Sequence, residues 1–232
     1  MDAFWQGIRF VVFDIDGTLY HQEKLRRLML RALLLDLART GNTRTLKLLR
    51  AYRKERETIA ETEIDDFETV LRQRIADRHR CSGAAVDAAV SEWIDRRPLP
   101  YLRRCAVAGV QEAFGKVRRS GRIIGVLSDY PATAKLAALG LEADFMAGAG
   151  DHGVQRMKPH PAGLQHLIAQ AGVPAASTLM VGDREERDVA AARRAGTRWL
   201  LRTAKPSLED NRFATFLDAP FDVIPFLDSE PA

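Results

Sequence analysis

The distribution of glycine and proline constrains this chain more than any other feature. Between Thr18 and Arg97 there are no prolines and only two glycines, Gly41 and Gly83, whereas from Pro98 onward come all ten prolines and twelve of the sixteen glycines. Proline breaks helices and glycine weakens them, so the first stretch reads as helical and the second as short elements joined by turns. One further element lies ahead of the helical stretch. Ile8 to Phe13 is an apolar run interrupted only by Arg9, the pattern of a strand buried on both faces.

Beyond Pro98 the β-rich runs at 122–127, 178–181 and 197–201 alternate with helical patterns near Gly109 to Arg119, after Pro131, from Pro161 to Ala171 and from Arg187 to Ala195. Strand alternating with helix predicts an α/β fold built on a parallel, doubly wound sheet. The tail from Pro206 to Ala232 is expected to pack on that sheet as a last helix and strand. Trp5, Trp93 and Trp199 are expected to serve packing.

Composition excludes several classes. With 46% hydrophobic and 28% charged residues the chain is not disordered as a whole. A formal charge of +4 suits anionic partners without requiring nucleic acid. Cys81 and Cys105 form neither a disulfide framework nor a metal-ligand spacing, so a reducing compartment is expected. The apolar run from Leu28 to Leu37 is broken by Arg31 and Asp36, too short for a membrane span. Met1-Asp2-Ala3 is not the basic opening of an export signal, which makes the cytoplasm the expected location.

In doubly wound sheets the reactive groups gather beyond the carboxyl ends of the strands. The residues there are Asp14-Ile-Asp-Gly-Thr18, Ser128-Asp129 and Gly182-Asp183, with Lys158 in a loop between the second and third. Asp14 and Asp16, two apart in extended backbone, face the same side with Cα atoms about 6–7 Å apart. A third carboxylate from Asp183 would make an acidic cluster that needs a cation, and an oxygen-only ligand set suits Mg²⁺ better than zinc. A carboxylate can attack phosphorus to give an aspartyl phosphate if neighbours neutralise the phosphoryl oxygens, a role open to Lys158 and Ser128. Asp16 is placed beside the nucleophile to act as acid and base.

With these residues in hand the chain resembles the haloacid dehalogenase superfamily, in its phosphatase branch with an inserted helical cap. Its four motifs appear in order: Asp14-Ile-Asp16-Gly-Thr-Leu19, Leu127-Ser128-Asp129, Met157-Lys158-Pro159, and Gly182-Asp183 with Asp188 five residues later. The resemblance implies a Rossmann-like core over 1–19 and 98–232 and an all-helical cap over 20–97. It implies that Asp14 is nucleophile and Mg²⁺ ligand, and that Asp16 is acid/base and binds the metal through its backbone carbonyl. Ser128 and Lys158 would hold the phosphoryl group, Asp183 would complete the metal site, and Asp188 would support it indirectly or through water. True dehalogenases of the family lack the second aspartate of the first motif, so Asp16 favours phosphoryl transfer. The expected activity is a phosphoric monoester hydrolase acting on a small phosphorylated metabolite. A phosphomutase using the same residues, or a non-catalytic binding protein of the same fold, are the alternatives. Asp129 departs from the asparagine found in many members, and is expected to point away from the phosphate and cap the helix opened by Pro131.

The helical stretch also holds a basic run, Arg44, Lys47, Arg50, Arg53, Lys54 and Arg56, and an acidic one, Glu61, Glu63, Asp65, Asp66 and Glu68. Spacings of three and four place Arg44, Lys47, Arg50 and Lys54 on one helix face, which reads as a solvated surface. The acidic run argues against a continuous nucleic-acid surface. The size of the cap leaves room for a homodimer. His21 is expected to be an exposed hinge residue.

Overall fold

A computed structural model of the chain describes residues 2–60, 62, 64 and 66–227. Its sheet has six strands: Phe10–Phe13 (β1), Ile123–Ser128 (β2), Phe145–Gly148 (β3), Thr178–Gly182 (β4), Arg198–Arg202 (β5) and Arg212–Phe213 (β6). All neighbours are parallel and the order is β3-β2-β1-β4-β5-β6. The four residues of β1 are apolar and fully buried, so this strand can only lie inside a sheet covered on both faces. It does, with Phe13 opposite Val126 on one side and Val181 on the other. The chain runs outward from β1 to β3 and then returns to the other side for β4 to β6. The reversal opens a crevice at the carboxyl ends of β1 and β4, where a doubly wound sheet binds its ligands.

A short opening helix, Asp2–Trp5 (α1), precedes β1. Between β1 and β2 come Gln22–Thr40 (α2), Thr43–Ala60 (α3), Phe67–His79 (α4) and Gly83–Val90 (α5), then a wider turn at Ser91–Arg96 and Leu99–Cys105 (α6). Helix thus continues past Arg97, where the Gly/Pro pattern places its end. Pro98 and Pro100 stand at the start of α6, the one part of a helix where a missing N–H leaves no bond unmade. The chain enters and leaves this helical unit side by side: the His21 N–H donates to the Cys105 carbonyl at 2.8 Å, and the Val107 N–H to the Leu19 carbonyl at 3.0 Å. The unit has its own core of Leu48, Ile59, Phe67, Leu71, Ile75 and Val86, which also takes in Ala149 and Met157 from loops of the sheet domain.

The remaining helices, Val110–Arg119 (α7), Thr133–Leu139 (α8), Ala162–Ala171 (α9) and Ala190–Ala195 (α10), flank the sheet. Strand β3 has no counterpart in the sequence reading, because its Phe-Met-Ala-Gly is short and half-exposed. The expected last helix of the tail is also absent among the described residues. Only one tight turn at Leu208–Asp210 forms before β6. Instead Phe213, Phe216 and Phe221 are fully buried and pack against one another, and the last two also pack on Phe13, while Phe226 is exposed. Pro220 and Pro225 deny this stretch a helical ladder, and aromatic burial holds it without one. Residues 228–232, and Glu61, Glu63 and Asp65 of the acidic run, lie outside the described residues. Trp5 and Trp93 are buried and Trp199 is half-buried against the sheet, so all three pack. Among the described residues no helix is long and apolar enough to cross a membrane.

Candidate active site

Asp14 follows β1 directly, and its backbone N–H donates to the Val181 carbonyl of the neighbouring strand at 2.8 Å. That bond sets the carboxylate beside Asp183, which follows β4. Gly17 makes the approach possible. It has φ of 104°, and a Cβ there would lie 2.0 Å from Asp183 Oδ2. Gly182 is similarly tight, since a Cβ would lie 2.2 Å from that of Asp188. Replacing Gly17 by alanine should therefore cost both left-handed strain and overpacking, together about 2–4 kcal/mol. In a chain of this size that is a fall of roughly 5–15 °C in Tm by calorimetry. An unchanged Tm would show that Asp183 does not need this gap.

One ammonium lies among three buried or half-buried carboxylates. Lys158 Nζ donates to Asp14 Oδ1 at 2.5 Å and to Asp188 Oδ1 at 2.7 Å. The Thr18 hydroxyl donates to the other Asp14 oxygen at 3.0 Å. Oxygens of Asp14, Asp183 and Asp188 all lie within 4.8 Å of one another. Burial pushes the Asp14 carboxyl well above its ordinary range; Lys158 works against this, and Asp188, Asp183 and Asp16 add to it. Asp183 is pushed up to about 6, first by burial and then by Asp188. Lys158 keeps its proton firmly, because its two carboxylates outweigh the cost of its burial.

Asp183 Oδ1 is buried with no hydrogen-bond donor among the described residues. An orphaned carboxylate oxygen, beside two further carboxylates that share one lysine, is a donor set of hard oxygens short of positive charge. It fits a hard divalent cation such as Mg²⁺, held by Asp14 and Asp183 with Asp188 alongside. Asp188 is also a scaffold. Its second oxygen accepts from the backbone N–H groups of Asp183 and Arg184 at 3.1 and 2.9 Å.

The Asp16 carboxylate stands outside this group. It takes two bonds from Lys135 Nζ, at 2.7 and 2.8 Å, and a short one from the Tyr20 hydroxyl. Burial would raise its proton affinity, but Lys135 and Tyr20 outweigh that and hold it as a carboxylate. Ser128, at the end of β2, is fully buried, and its hydroxyl accepts from the Tyr130 N–H at 3.2 Å. Asp129 differs from expectation. Helix α8 has no side-chain cap, and Asp129 instead accepts the Lys158 backbone N–H at 3.0 Å. An unpaired N–H in the Lys158 loop is the stronger demand, so the carboxylate ties the loop after Ser128 to the loop that carries Lys158.

The helical unit closes on the same loops. Arg56 is buried, stacks over Tyr130 at 4.3 Å and Phe67 at 5.1 Å, and donates to the Asp129 carbonyl. Glu57 pairs with Arg187 at 2.7 Å and Arg184 at 3.2 Å, and Arg187 in turn donates to the Lys158 carbonyl at 2.7 Å. Sequence reading missed Tyr20, Lys135, Glu57 and Arg187, and took Arg56 for part of a surface run. Of that run, Arg44, Lys47, Arg50 and Lys54 are exposed, as a solvated face requires. His21 is exposed, with Arg202 at 3.1 Å from its ring.

A family model for haloacid dehalogenase-like hydrolases matches residues 8–196. No curated protein matches the chain. Solved structures resemble it over most of their length. A 2-haloacid dehalogenase from Pseudomonas syringae aligns with TM-score 0.61 and 21% identity, covering 90% of this chain and 94% of the other. A putative hydrolase from Bacillus subtilis bound to magnesium aligns with TM-score 0.61 and 16% identity, over 84% and 88%. A predicted phosphoglycolate phosphatase from Haemophilus somnus aligns with TM-score 0.56 and 21% identity, over 91% and 96%. At these identities the likeness is one of fold.

Proposed function

The chain belongs to the haloacid dehalogenase-like hydrolase family, and on that premise we propose that it is a Mg²⁺-dependent phosphatase of a small phosphorylated metabolite. The observation that carries this reading is the pairing of two carboxylates with different surroundings at the end of one strand. Asp14 lies in the acidic cluster beside Lys158, and Asp16 lies in a separate clamp of Lys135 and Tyr20. Two such environments give two roles. Asp14 attacks phosphorus, and the bond to the ester oxygen breaks as the aspartyl phosphate forms. Asp16, a carboxylate at rest, takes up a proton from solvent before the attack, gives it to that oxygen, and then takes one from the water that hydrolyses the intermediate.

Lys158 and the Ser128 hydroxyl are the groups to hold the phosphoryl oxygens, with Lys158 exchanging a carboxylate contact for a phosphate one. Mg²⁺, held by Asp14, Asp183 and the Asp16 backbone carbonyl, would supply the positive charge that lets one anion attack another. Asp16 as it stands is in its base form, the form needed for the second half of the reaction. The helices from Gln22 to Cys105 act as a cap that keeps bulk water from the intermediate, with Arg56 and Glu57 as its catches on the core. A working location in the cytoplasm accords with the free cysteines.

The test is phosphate release across a panel of phosphomonoesters, with and without Mg²⁺, alongside halide release from 2-haloacids. Mg²⁺-dependent phosphate release supports the reading. Halide release alone, or sugar-phosphate isomerisation outpacing hydrolysis, replaces it with a dehalogenase or a mutase.

A further inference from the structure

Next to Asp16, between the cap helices and the core, lies a cavity of about 100 Å³ that the chemistry above does not use. Asp16 and Lys135 form its inner end, and Met29 and Trp93 give it buried apolar walls. Arg26 on α2 and Arg53 on α3 line the same cavity and are exposed, which places them toward its mouth. Most arginines near the site are tied down: Arg56, Arg184, Arg187 and Arg202 each have a hydrogen-bond partner. Arg26 and Arg53 have no ion pair or hydrogen bond among the described residues. Glu57 lines the cavity as well, but it is committed to Arg184 and Arg187.

Two guanidinium groups near one another and without a carboxylate repel. Partial enclosure by the cavity wall lowers the proton affinity of Arg53; Tyr130 and Tyr20 work against this, and Arg26 adds to it. Such a pair is stabilised by an anion set between its members, and arginine is suited to bind an oxyanion through two parallel N–H bonds. The anion cannot be the phosphoryl group under attack, which has to sit beside Asp14, Lys158 and Ser128, none of which lines this cavity. The cavity holds about three water volumes of roughly 30 Å³ each, enough for a body of some three carbons.

We propose that Arg26 and Arg53 form a specificity site for a second anionic group on the leaving portion of the substrate, so that the preferred substrates are short phosphomonoesters carrying a carboxylate or second phosphate at the far end. This rests on the phosphatase reading and adds to it the class of substrate. Trp93 and Met29 cover the carbon body, and the oxyanion meets the arginines at the mouth.

The test compares 3-phosphoglycerate with glycerol 3-phosphate, which share a three-carbon phosphoester and differ at the far carbon, carboxylate against hydroxymethyl. The native protein with Mg²⁺ is expected to show kcat/KM at least about tenfold higher for 3-phosphoglycerate, the scale of one charge-assisted hydrogen-bonded contact. Arg53→Gln and Arg26→Gln should each bring the ratio of the two kcat/KM values toward one. Damage to the fold would lower both values together and leave the ratio, so a ratio that survives both substitutions overturns the proposal, as does equal kcat/KM in the native protein.

Binding to Asp14→Asn protein with Mg²⁺, measured by calorimetry, separates the two levels. If no phosphomonoester of the panel is hydrolysed, the phosphatase reading fails. The specificity site still stands if 3-phosphoglycerate binds more tightly and Arg53→Gln removes the difference. Equal affinity, or none for either ester, overturns it.

Discussion

Asp14→Asn is expected to abolish phosphate release, by a factor on the order of 10⁴ or more, and to leave the fold intact. The size of the loss follows from the role. An amide oxygen is a poor nucleophile toward phosphorus, and no other side chain lies where Asp14 does, between Lys158 and the Thr18 hydroxyl. The intact fold follows from the electrostatics. Asparagine has the same shape, its oxygen can still accept from Lys158, and Lys158 keeps its second partner, Asp188, at 2.7 Å. One negative charge leaves a crowd of three, so the metal-free variant should melt no lower than the native protein. Intact-mass analysis during turnover should find a phosphorylated species in the native protein and none in the variant. Steady phosphate release from a pure Asp14→Asn preparation would remove Asp14 from the nucleophile's role and with it the proposed reaction.

The parts of this site that could be read in the sequence are those fixed by strand ends. Asp14, Ser128 and Asp183 each stand at or beside the last residue of a strand, and a doubly wound sheet aligns such ends whatever the details of the helices. Their convergence needed only the correct fold class. Lys135 is different. It meets Asp16 across 119 residues of chain, and that contact depends on which face α8 presents to the first loop. Nothing in Thr133–Leu139 marks that lysine apart from other lysines. Arg56 and Glu57 were hidden in the same way, since a helix with basic residues on several faces does not announce which one turns inward. Asp129 was misjudged because the competing demand came from a backbone N–H in a loop 29 residues away. Strand β3 and the tail show the limits of periodicity. Four half-exposed residues carry too little pattern, and the buried phenylalanines of the tail are held by packing around two prolines rather than by any repeating hydrogen-bond ladder.

Mg²⁺ should stabilise the protein strongly near neutral pH and lose that effect as the pH falls through about 6. Asp183 carries the prediction, because its carboxyl is pushed up to about 6 while an unfolded aspartate sits near 3.8. Between those values the metal-free native state binds a proton that the unfolded chain does not. Stability from this group is thus fully present below pH 4 and falls as pH rises toward 6. Asp14, also raised, acts in the same direction. Metal-free protein at neutral pH therefore bears a charge penalty in its acidic cluster, which a divalent cation relieves. At a hundredfold excess over its Kd, Mg²⁺ adds about 2.7 kcal/mol, a rise of roughly 5–10 °C in Tm for a chain of this length. Protonation of Asp183 removes both the ligand and the penalty, so the rise should be about halved at pH 5 and nearly gone by about pH 4.

Asp183→Asn separates this cluster from every other titrating group. Its Oδ1 has no donor among the described residues, so an amide nitrogen there can donate to the neighbouring carboxylates. The metal-free variant is expected to be more stable than the native protein near neutral pH, to match it near pH 4, and to gain little from Mg²⁺ at any pH. A native protein indifferent to Mg²⁺ at neutral pH, or a variant that still gains the full rise, would place the cation elsewhere. In either case the three carboxylates around Lys158 would have to be explained without one.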